Sequence, residues 1–130
     1  MGVTGVNIHE SAENYLEAIL ALGESGGPVR SIDVAQRLNV SKPSVSRAMS
    51  LLREGGFVVM DAGGFLTLTD DGLEIARRIY ERHLLLTKWL VYLGVDEKVA
   101  AEDACRIEHD LSVESFDALR EHINRELGTA

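Results

Sequence analysis

Residues 31–56, SIDVAQRLNVSKPSVSRAMSLLREGG, predict two short helices separated by a tight turn. The first helix is expected over Ser31–Leu38 and the second over Lys42–Glu54. Ser41 is a favourable N-cap for the second helix, and Pro43 lies in its first turn, where proline is tolerated. A pair of glycines then ends it. Two short helices joined in this way are typical of a helix-turn-helix.

A β-hairpin is predicted immediately after these helices. Residues 57–69, FVVMDAGGFLTLT, contain two apolar runs around the turn sequence Asp61-Ala62-Gly63-Gly64. A further helix, SAENYLEAILALGESGG at residues 11–27, precedes the pair. Helices followed by a hairpin predict a winged helix-turn-helix domain over residues 1–70. The alternative is that helix, helix and hairpin are local pieces of some other α+β fold.

The remainder of the chain is predicted to be helical, which makes the fold class mainly α. Three helices are expected, over about 70–93, 96–110 and 113–127. The longest of them carries apolar residues on two roughly opposite faces. We expect the face with Leu85 and Trp89 to meet a second subunit. Residues 71–130 would then form a helical dimerisation domain, and the protein would be a homodimer.

The charge of the chain is unevenly distributed. The net charge is −8, but residues 29–60 hold five basic and two acidic residues, a local excess of +3. Phosphate binding depends on the local patch more than on the total, so the negative net charge does not argue against DNA as a partner. The single cysteine cannot form an internal disulfide, and no signal peptide or membrane span is expected. These features predict a cytoplasmic protein.

A possible metal site lies in ACRIEHDLS, residues 104–112. On one helix, Cys105, Glu108 and His109 would project from a shared face. A thiolate, a carboxylate and an imidazole are the usual ligands of Zn²⁺, Fe²⁺ and related ions. His83 and Glu17 are candidates for the remaining donors. The alternative is a purely structural role, with a buried cysteine and a core histidine that bind no ion.

Several stretches together carry a resemblance to a known family. They are ENYLEAI, SKPSVSRAMSLLREGG, GGFLTLTDDG, ERHLLLTKWL, GVDEKV and CRIEHDLS, spread over residues 9–127. The chain resembles the diphtheria toxin repressor family of metal-dependent repressors, which includes the manganese transport regulators. The resemblance implies a winged-helix DNA-binding domain followed by a helical dimerisation domain. The chain is similar to the short form of the family, which has no additional C-terminal barrel domain.

The resemblance also implies a set of metal ligands. The primary regulatory site of the family falls on Asn14, Glu17, His83, Cys105, Glu108 and His109. Asn14 departs from the pattern, because methionine or aspartate is usual there and an amide oxygen is a weaker, neutral donor. An ancillary site of the iron-type members falls on Thr87 and Ala101, and this site is expected to be lost. The thiolate of Cys105 favours Fe²⁺, and Mn²⁺ is second because Glu17 is a manganese-like feature.

The N-terminal end of the second short helix is expected to enter the major groove of a palindromic operator. Pro43 could contact a thymine methyl and Arg47 a guanine edge. Lys42 and Arg53 would contact phosphates, which position the protein without reading sequence. The full predicted DNA-binding set is Ser41, Lys42, Pro43, Ser44, Ser46, Arg47 and Arg53.

These features predict a metal-activated DNA-binding repressor rather than an enzyme. Two rival classes stay open. The first is a winged-helix regulator that senses an organic ligand or a redox state without metal. The second is a metal-dependent hydrolase, which would need an open coordination position, a base and a substrate pocket that no motif in the sequence supplies.

Overall fold

The computed structural model describes the backbone of residues 2–128 and the side chains of residues 11–128. The elements are α1 (Gly2–Glu24), β1 (Val29–Arg30), α2 (Ser31–Leu38), α3 (Lys42–Glu54), β2 (Val58–Met60), β3 (Phe65–Leu68), α4 (Asp70–Tyr92), α5 (Glu97–Ile107) and α6 (Val113–Leu127). The predicted fold class, a mainly helical winged-helix protein, is confirmed. None of the helices within residues 2–128 is long and apolar enough to cross a membrane.

The chain divides into two compact units. The first unit ends at Arg78 and the second begins at Ile79, so the division falls inside α4. The functional boundary that the sequence predicts, between residues 70 and 71, lies at the start of the same helix and stays a prediction. Residue 1 and residues 129–130, at the outer ends of the two predicted domains, lie outside the described residues.

The helix-turn-helix of the first unit has the bounds that the sequence predicts. The Ser41 hydroxyl caps α3 by accepting a hydrogen bond of 3.3 Å from the Ser44 amide. The preceding turn contains Asn39 in the left-handed conformation, with φ of 56°. Asparagine tolerates this conformation better than most residues, so the chain can reverse between α2 and α3 without a glycine.

The wing is a three-stranded antiparallel sheet rather than a simple hairpin. The strand order is β1–β3–β2, with Val29 opposite Leu66 and Val58 opposite Leu68. The hairpin turn at residues 61–64 is where the sequence predicts it. Strand β1 was not predicted, because two residues are too few to display an alternating pattern.

One apolar core holds the first unit together. It joins residues from α1, α2, α3 and the sheet, including the almost fully buried Leu16, Val34, Val45, Met49 and Val58. Burial of such side chains contributes roughly 1.5–3 kcal/mol each. The face of α3 that bears Val45 and Met49 is therefore fixed inward, and its other face is fixed outward.

The second unit has a separate apolar core between α4, α5 and α6. Leu86, Ala104 and Phe116 are buried there. Leu85 and Trp89 pack against the same cluster. Leu85 and Trp89 are only partly buried, so helices of the same chain cover part of this face. Its assignment to a second subunit stays a prediction, because a helical wheel shows that a face is apolar but not what covers it.

Candidate metal centre and nucleic-acid interface

The candidate metal centre in the second unit is built where α4 meets the end of α5. His83 lies in the middle of α4, and Glu108 is the C-cap residue of α5. The Nδ1 atom of His83 lies 3.1 Å from Oε1 of Glu108. The Nε2 atom of His109 lies 3.4 Å from Oε2 of the same carboxylate. The three predicted ligands His83, Glu108 and His109 are thus brought together within one unit.

The Glu108 carboxylate lies in an enclosed place. The Glu108 residue is 0% exposed, and the His109 side chain is only 2% exposed. Within the described part of the chain, Oε2 of Glu108 accepts no hydrogen bond, although His109 Nε2 lies 3.4 Å away. A buried carboxylate oxygen without a donor costs several kcal/mol unless another charge or ligand compensates.

This arrangement fits a divalent transition-metal ion. Two imidazoles and a carboxylate are an N₂O donor set that suits Fe²⁺, Mn²⁺ or Zn²⁺. A cation bound by Glu108 would compensate the buried negative charge that the present contacts leave incompletely satisfied. His83, Glu108 and His109 could therefore supply three donors to such an ion from within the second unit.

The local geometry corrects one expectation about this motif. α5 ends at Ile107, and residues 108–110 form a turn, whereas the sequence predicted a helix to about Asp110. Glu108 keeps helical backbone angles, with φ −58° and ψ −27°. The Asp110 amide donates to the Ile107 carbonyl at 2.9 Å, which is a turn contact over three residues. The three motif residues therefore do not lie on one continuous helix.

Cys105 and Glu108 also differ in their surroundings. Cys105 is exposed on α5, one turn before the buried Glu108. Because it is exposed, Cys105 is not the buried, inert cysteine that a purely structural role would predict. Its role as a metal ligand stays a prediction.

Asn14 and Glu17 belong to the first unit. Both lie on α1 and both are partly buried. Because they are three residues apart on a helix, their side chains share one face. An amide oxygen and a carboxylate are hard oxygen donors. Their place in the ligand set rests on the family resemblance.

The candidate DNA surface is the outward face of α3. Lys42, Pro43, Ser46 and Arg47 are exposed there, on the side opposite the buried Val45 and Met49. The Ser41 hydroxyl donates to the Ser44 hydroxyl at 2.9 Å. Both hydroxyls therefore take part in capping α3. A contact from Ser41 or Ser44 to a DNA base would compete with this cap.

Arg53 lies apart from the other predicted DNA-binding residues. It is exposed in the last turn of α3. At 1.5 Å per residue it is roughly 16 Å along the helix from Lys42. A contact from Arg53 would therefore reach a different phosphate from those near the N-terminal end.

Arg30 is a candidate that the predicted DNA-binding set omits. It is exposed on β1, and its guanidinium lies 4.3 Å from the centre of the Phe65 ring. This contact fixes a cation beside the wing. The wing tip itself carries Asp61, whose carboxylate accepts hydrogen bonds of 2.9 Å from the Gly63 and Phe65 amides. Arg30 was missed because β1 was not predicted, and it is β1 that places Arg30 beside the wing.

Two family models match the chain. The model described as the iron dependent repressor N-terminal DNA binding domain matches residues 7–63. The model described as the iron dependent repressor metal binding and dimerisation domain matches residues 69–125. The two matches follow each other along the chain in the order that the sequence predicts.

Individual proteins give the same result. An uncharacterized HTH-type transcriptional regulator of Methanocaldococcus jannaschii is 36% identical over 113 residues, covering 85% of this chain and 90% of that protein. The transcriptional regulator MntR of Escherichia coli O6:H1 is 35% identical over 111 residues, covering 85% of this chain and 72% of MntR.

A solved structure, described as a manganese-dependent transcriptional repressor in complex with manganese, has a TM-score of 0.76 and 34% identity. The match covers 92% of this chain and 53% of that one, so the chain spans about half the length of the solved repressor. Together the two family models account for most of the chain, and the relatives share about a third of its residues. The chain therefore belongs to the iron-dependent repressor family of metal-dependent, DNA-binding transcriptional regulators.

Proposed function

We propose that this chain is a cytoplasmic, metal-activated repressor of metal-ion homeostasis and not an enzyme. As a homodimer it binds a palindromic operator when a divalent ion is bound. The observation that carries this proposal is the fully buried Glu108 carboxylate with an imidazole near each of its oxygens, His83 at 3.1 Å and His109 at 3.4 Å. A bound cation would compensate the buried negative charge of this carboxylate.

The proposed ligand set draws on both units. His83, Glu108 and His109 provide the buried donors of the second unit, and Cys105 adds a thiolate from α5. Asn14 and Glu17 add oxygen donors from α1. An ion held by both units would bias their arrangement toward one that fits DNA, a coupling of typically 1–3 kcal/mol. By reciprocity, operator binding would tighten metal binding by the same factor.

We propose Fe²⁺ as the activating ion, with Mn²⁺ second. The two histidines and Glu108 do not discriminate strongly between these ions, because both accept nitrogen and oxygen donors. The preference therefore depends on the further donors. A thiolate at Cys105 favours Fe²⁺, whereas the oxygen donors Asn14 and Glu17 favour Mn²⁺.

The dimer surface is proposed to lie on exposed apolar residues of the second unit. Large apolar side chains that are 41–59% exposed occur on α4, just after it, on α5 and at the start of α6. They are Leu84, Val91, Tyr92, Leu93, Val99 and Val113. We propose that these residues contribute to one surface that another protein covers. A second copy of the chain is the proposed occupant.

DNA contact is proposed at two places on the first unit. Arg47 on the exposed face of α3 would read a base edge, and Lys42 would contact a phosphate. No lysine or arginine occurs between Arg53 and Arg77, so the wing hairpin supplies no cation of its own. Arg30, held over Phe65, is therefore the residue proposed to bring positive charge to the wing side.

Operator binding with controlled metal loading tests the proposal. Purified protein is titrated onto a palindromic DNA from its own upstream region under anaerobic conditions, separately with Fe²⁺, Mn²⁺ and Zn²⁺. We expect binding to need metal and to respond to Fe²⁺ at the lowest concentration. Equal binding after complete chelation would exclude metal activation.

A cavity in the first unit supports a second candidate function. It has a volume of ≈540 Å³ and lies between α1, α3 and the start of α4, with Leu16, Ala48, Leu52, Phe57 and Ile75 in its lining. Apolar cavities of about 300–1,000 Å³ are typical of small-molecule sites. A regulator that senses an apolar organic ligand is the corresponding function. Metal-independent operator binding in the same titration would favour it.

A further inference from the structure

We propose that Arg82 is the positioning residue of the metal-ligand turn at residues 108–111. The inference rests on the proposed function, in which Glu108 binds an ion. Arg82 is 5% exposed. Its Nη1 atom donates to the main-chain carbonyl of Glu108 at 2.8 Å and to that of Leu111 at 2.9 Å. One guanidinium nitrogen therefore spans both ends of the turn.

These two contacts act where the backbone needs donors. The last carbonyls of a helix have no partner within the helix, and buried carbonyls without donors cost roughly 1–3 kcal/mol each. α5 ends just before Glu108, so the carbonyls of residues 108–111 lie beyond its hydrogen-bond ladder. Arg82 supplies the missing donor, and a charged donor makes a stronger bond than a neutral one.

Arg82 and His83 are neighbours in sequence, and both contact Glu108. Arg82 holds the main-chain oxygen of Glu108, whereas His83 Nδ1 is 3.1 Å from its carboxylate. When Glu108 and His83 bind an ion, their mutual contact competes with the ion. The Arg82 contact uses no ligand atom, so it persists and keeps the turn in place in both states.

The guanidinium is itself held by the core of the second unit. Its central carbon lies 5.0 Å from the centre of the buried Phe116 ring, a cation–π contact. Arg120 contacts the same ring at 4.9 Å and pairs with Glu81 and Asp117. Among the described residues, Arg120 makes no hydrogen bond or ion pair with the turn at residues 108–111. Arg82 and Arg120 therefore both contact the Phe116 ring, but only Arg82 donates hydrogen bonds to the turn at residues 108–111.

The experiment compares three full-length variants: Arg82→Met, Arg82→Lys and the control Arg120→Met. Mn²⁺ affinity is measured by calorimetry on the dimer, and amide hydrogen exchange of residues 108–111 is measured in metal-free protein. We expect Arg82→Met to lower Mn²⁺ affinity roughly 10–100-fold, the usual effect of losing a residue that orients a ligand. Arg82→Lys should recover part of it, since one ammonium keeps the charge but lacks the planar fork. Arg120→Met should leave affinity near wild type.

Hydrogen exchange separates positioning from general stability. In Arg82→Met the Asp110 amide, which bonds to Ile107, should exchange faster even without metal, whereas Arg120→Met should leave it protected. Equal losses of affinity in both Met variants, or unchanged exchange at Asp110 in Arg82→Met, would overturn the proposal. If Arg82→Met does not fold, an Arg82→Lys protein with wild-type affinity and exchange would overturn it instead. A wild-type protein that binds no Mn²⁺ or Fe²⁺ would refute the metal function, and the exchange data alone would then decide the role of Arg82.

Discussion

The imidazole of His83 and the carboxylate of Glu108 meet at 3.1 Å, although 25 residues separate them in sequence. His83 is carried by the middle of α4, and its side chain is 25% exposed. Glu108 lies at the end of α5 and is fully buried. The contact therefore joins a partly accessible nitrogen to a carboxylate that solvent does not reach, and an ion would approach the pair from the histidine side.

Replacing Glu108 by glutamine should separate metal binding from folding. The change keeps the shape but removes the buried charge, so we expect metal-free stability to be equal to that of the wild type or greater by about 1 kcal/mol. Wild-type protein at a metal concentration 100-fold above its dissociation constant should gain about 2.7 kcal/mol. The variant should lose most of that gain. Thermal unfolding with and without Mn²⁺ measures both effects.

Glu102→Gln is the control for this substitution, because Glu102 is an exposed carboxylate on α5, the helix that ends just before Glu108. It should respond to Mn²⁺ as the wild type does. If Glu108→Gln keeps the full metal-dependent stabilisation, Glu108 is not a ligand.

The helix-turn-helix could be predicted from sequence because every signal in it is local. Ser41 caps α3, and Leu38 and Glu54 end α2 and α3 where the adjacent turn residues indicate. The metal motif was found for a different reason, since its residue types are chemically distinctive. Periodicity could not reveal β1, which has only two residues and is defined by its pairing with β3.

Two features of the second unit that the sequence did not predict share one physical cause. At the end of α5, the Glu108 carbonyl accepts a hydrogen bond from Arg82, 26 positions away in sequence. The partner of the Leu85–Trp89 face depends on how α5 and α6 fold back on α4. Both are tertiary contacts, and the sequence pattern of a single helix does not contain them.

Arg47 and Arg30 should affect DNA binding in different ways. If Arg47 reads a base edge, Arg47→Ala should relax preference at one operator position by about 1–3 kcal/mol. Arg30→Ala should weaken binding to all sequences and reduce the salt dependence by about one released counterion. Titrations of operator variants at several salt concentrations test both. A uniform loss in Arg47→Ala would reassign it to a phosphate contact.

The dimer should depend on the exposed apolar residues of the second unit. Leu84 is 53% exposed on α4, so Leu84→Glu should leave the folded unit intact and produce monomers with weak operator binding. Light scattering measures the mass, and Ala118→Glu, at an exposed position on α6, controls for the added charge. A Leu84→Glu protein that remains dimeric would place the interface elsewhere.

Gly72 should be essential for the junction between the wing and α4. A Cβ atom at this position would collide with the backbone carbonyl of Phe57. The same carbonyl accepts a hydrogen bond of 3.0 Å from the Thr69 amide. We therefore expect Gly72→Ala to destabilise the protein by roughly 1–3 kcal/mol, as other overpacking changes do.

Gly23→Ala is the control. A Cβ atom at this position meets no atom within 4 Å, so the change should be neutral or stabilising by up to about 1 kcal/mol. Chemical denaturation of the two variants provides the comparison.

Cys105 should decide which ion activates the protein. A thiolate is a softer ligand than a carboxylate, so Cys105→Glu should shift activation from Fe²⁺ toward Mn²⁺. Cys105 is exposed, and the substitution can therefore be made without repacking the core. Operator binding is titrated with each ion under anaerobic conditions, and Cys105→Ser controls for loss of the thiolate without gain of a charge. If the native protein responds to Mn²⁺ at a lower concentration than to Fe²⁺, the oxygen donors determine the selectivity and the thiolate argument is wrong. If Cys105→Ser and the native protein respond alike to both ions, Cys105 lies outside the coordination shell.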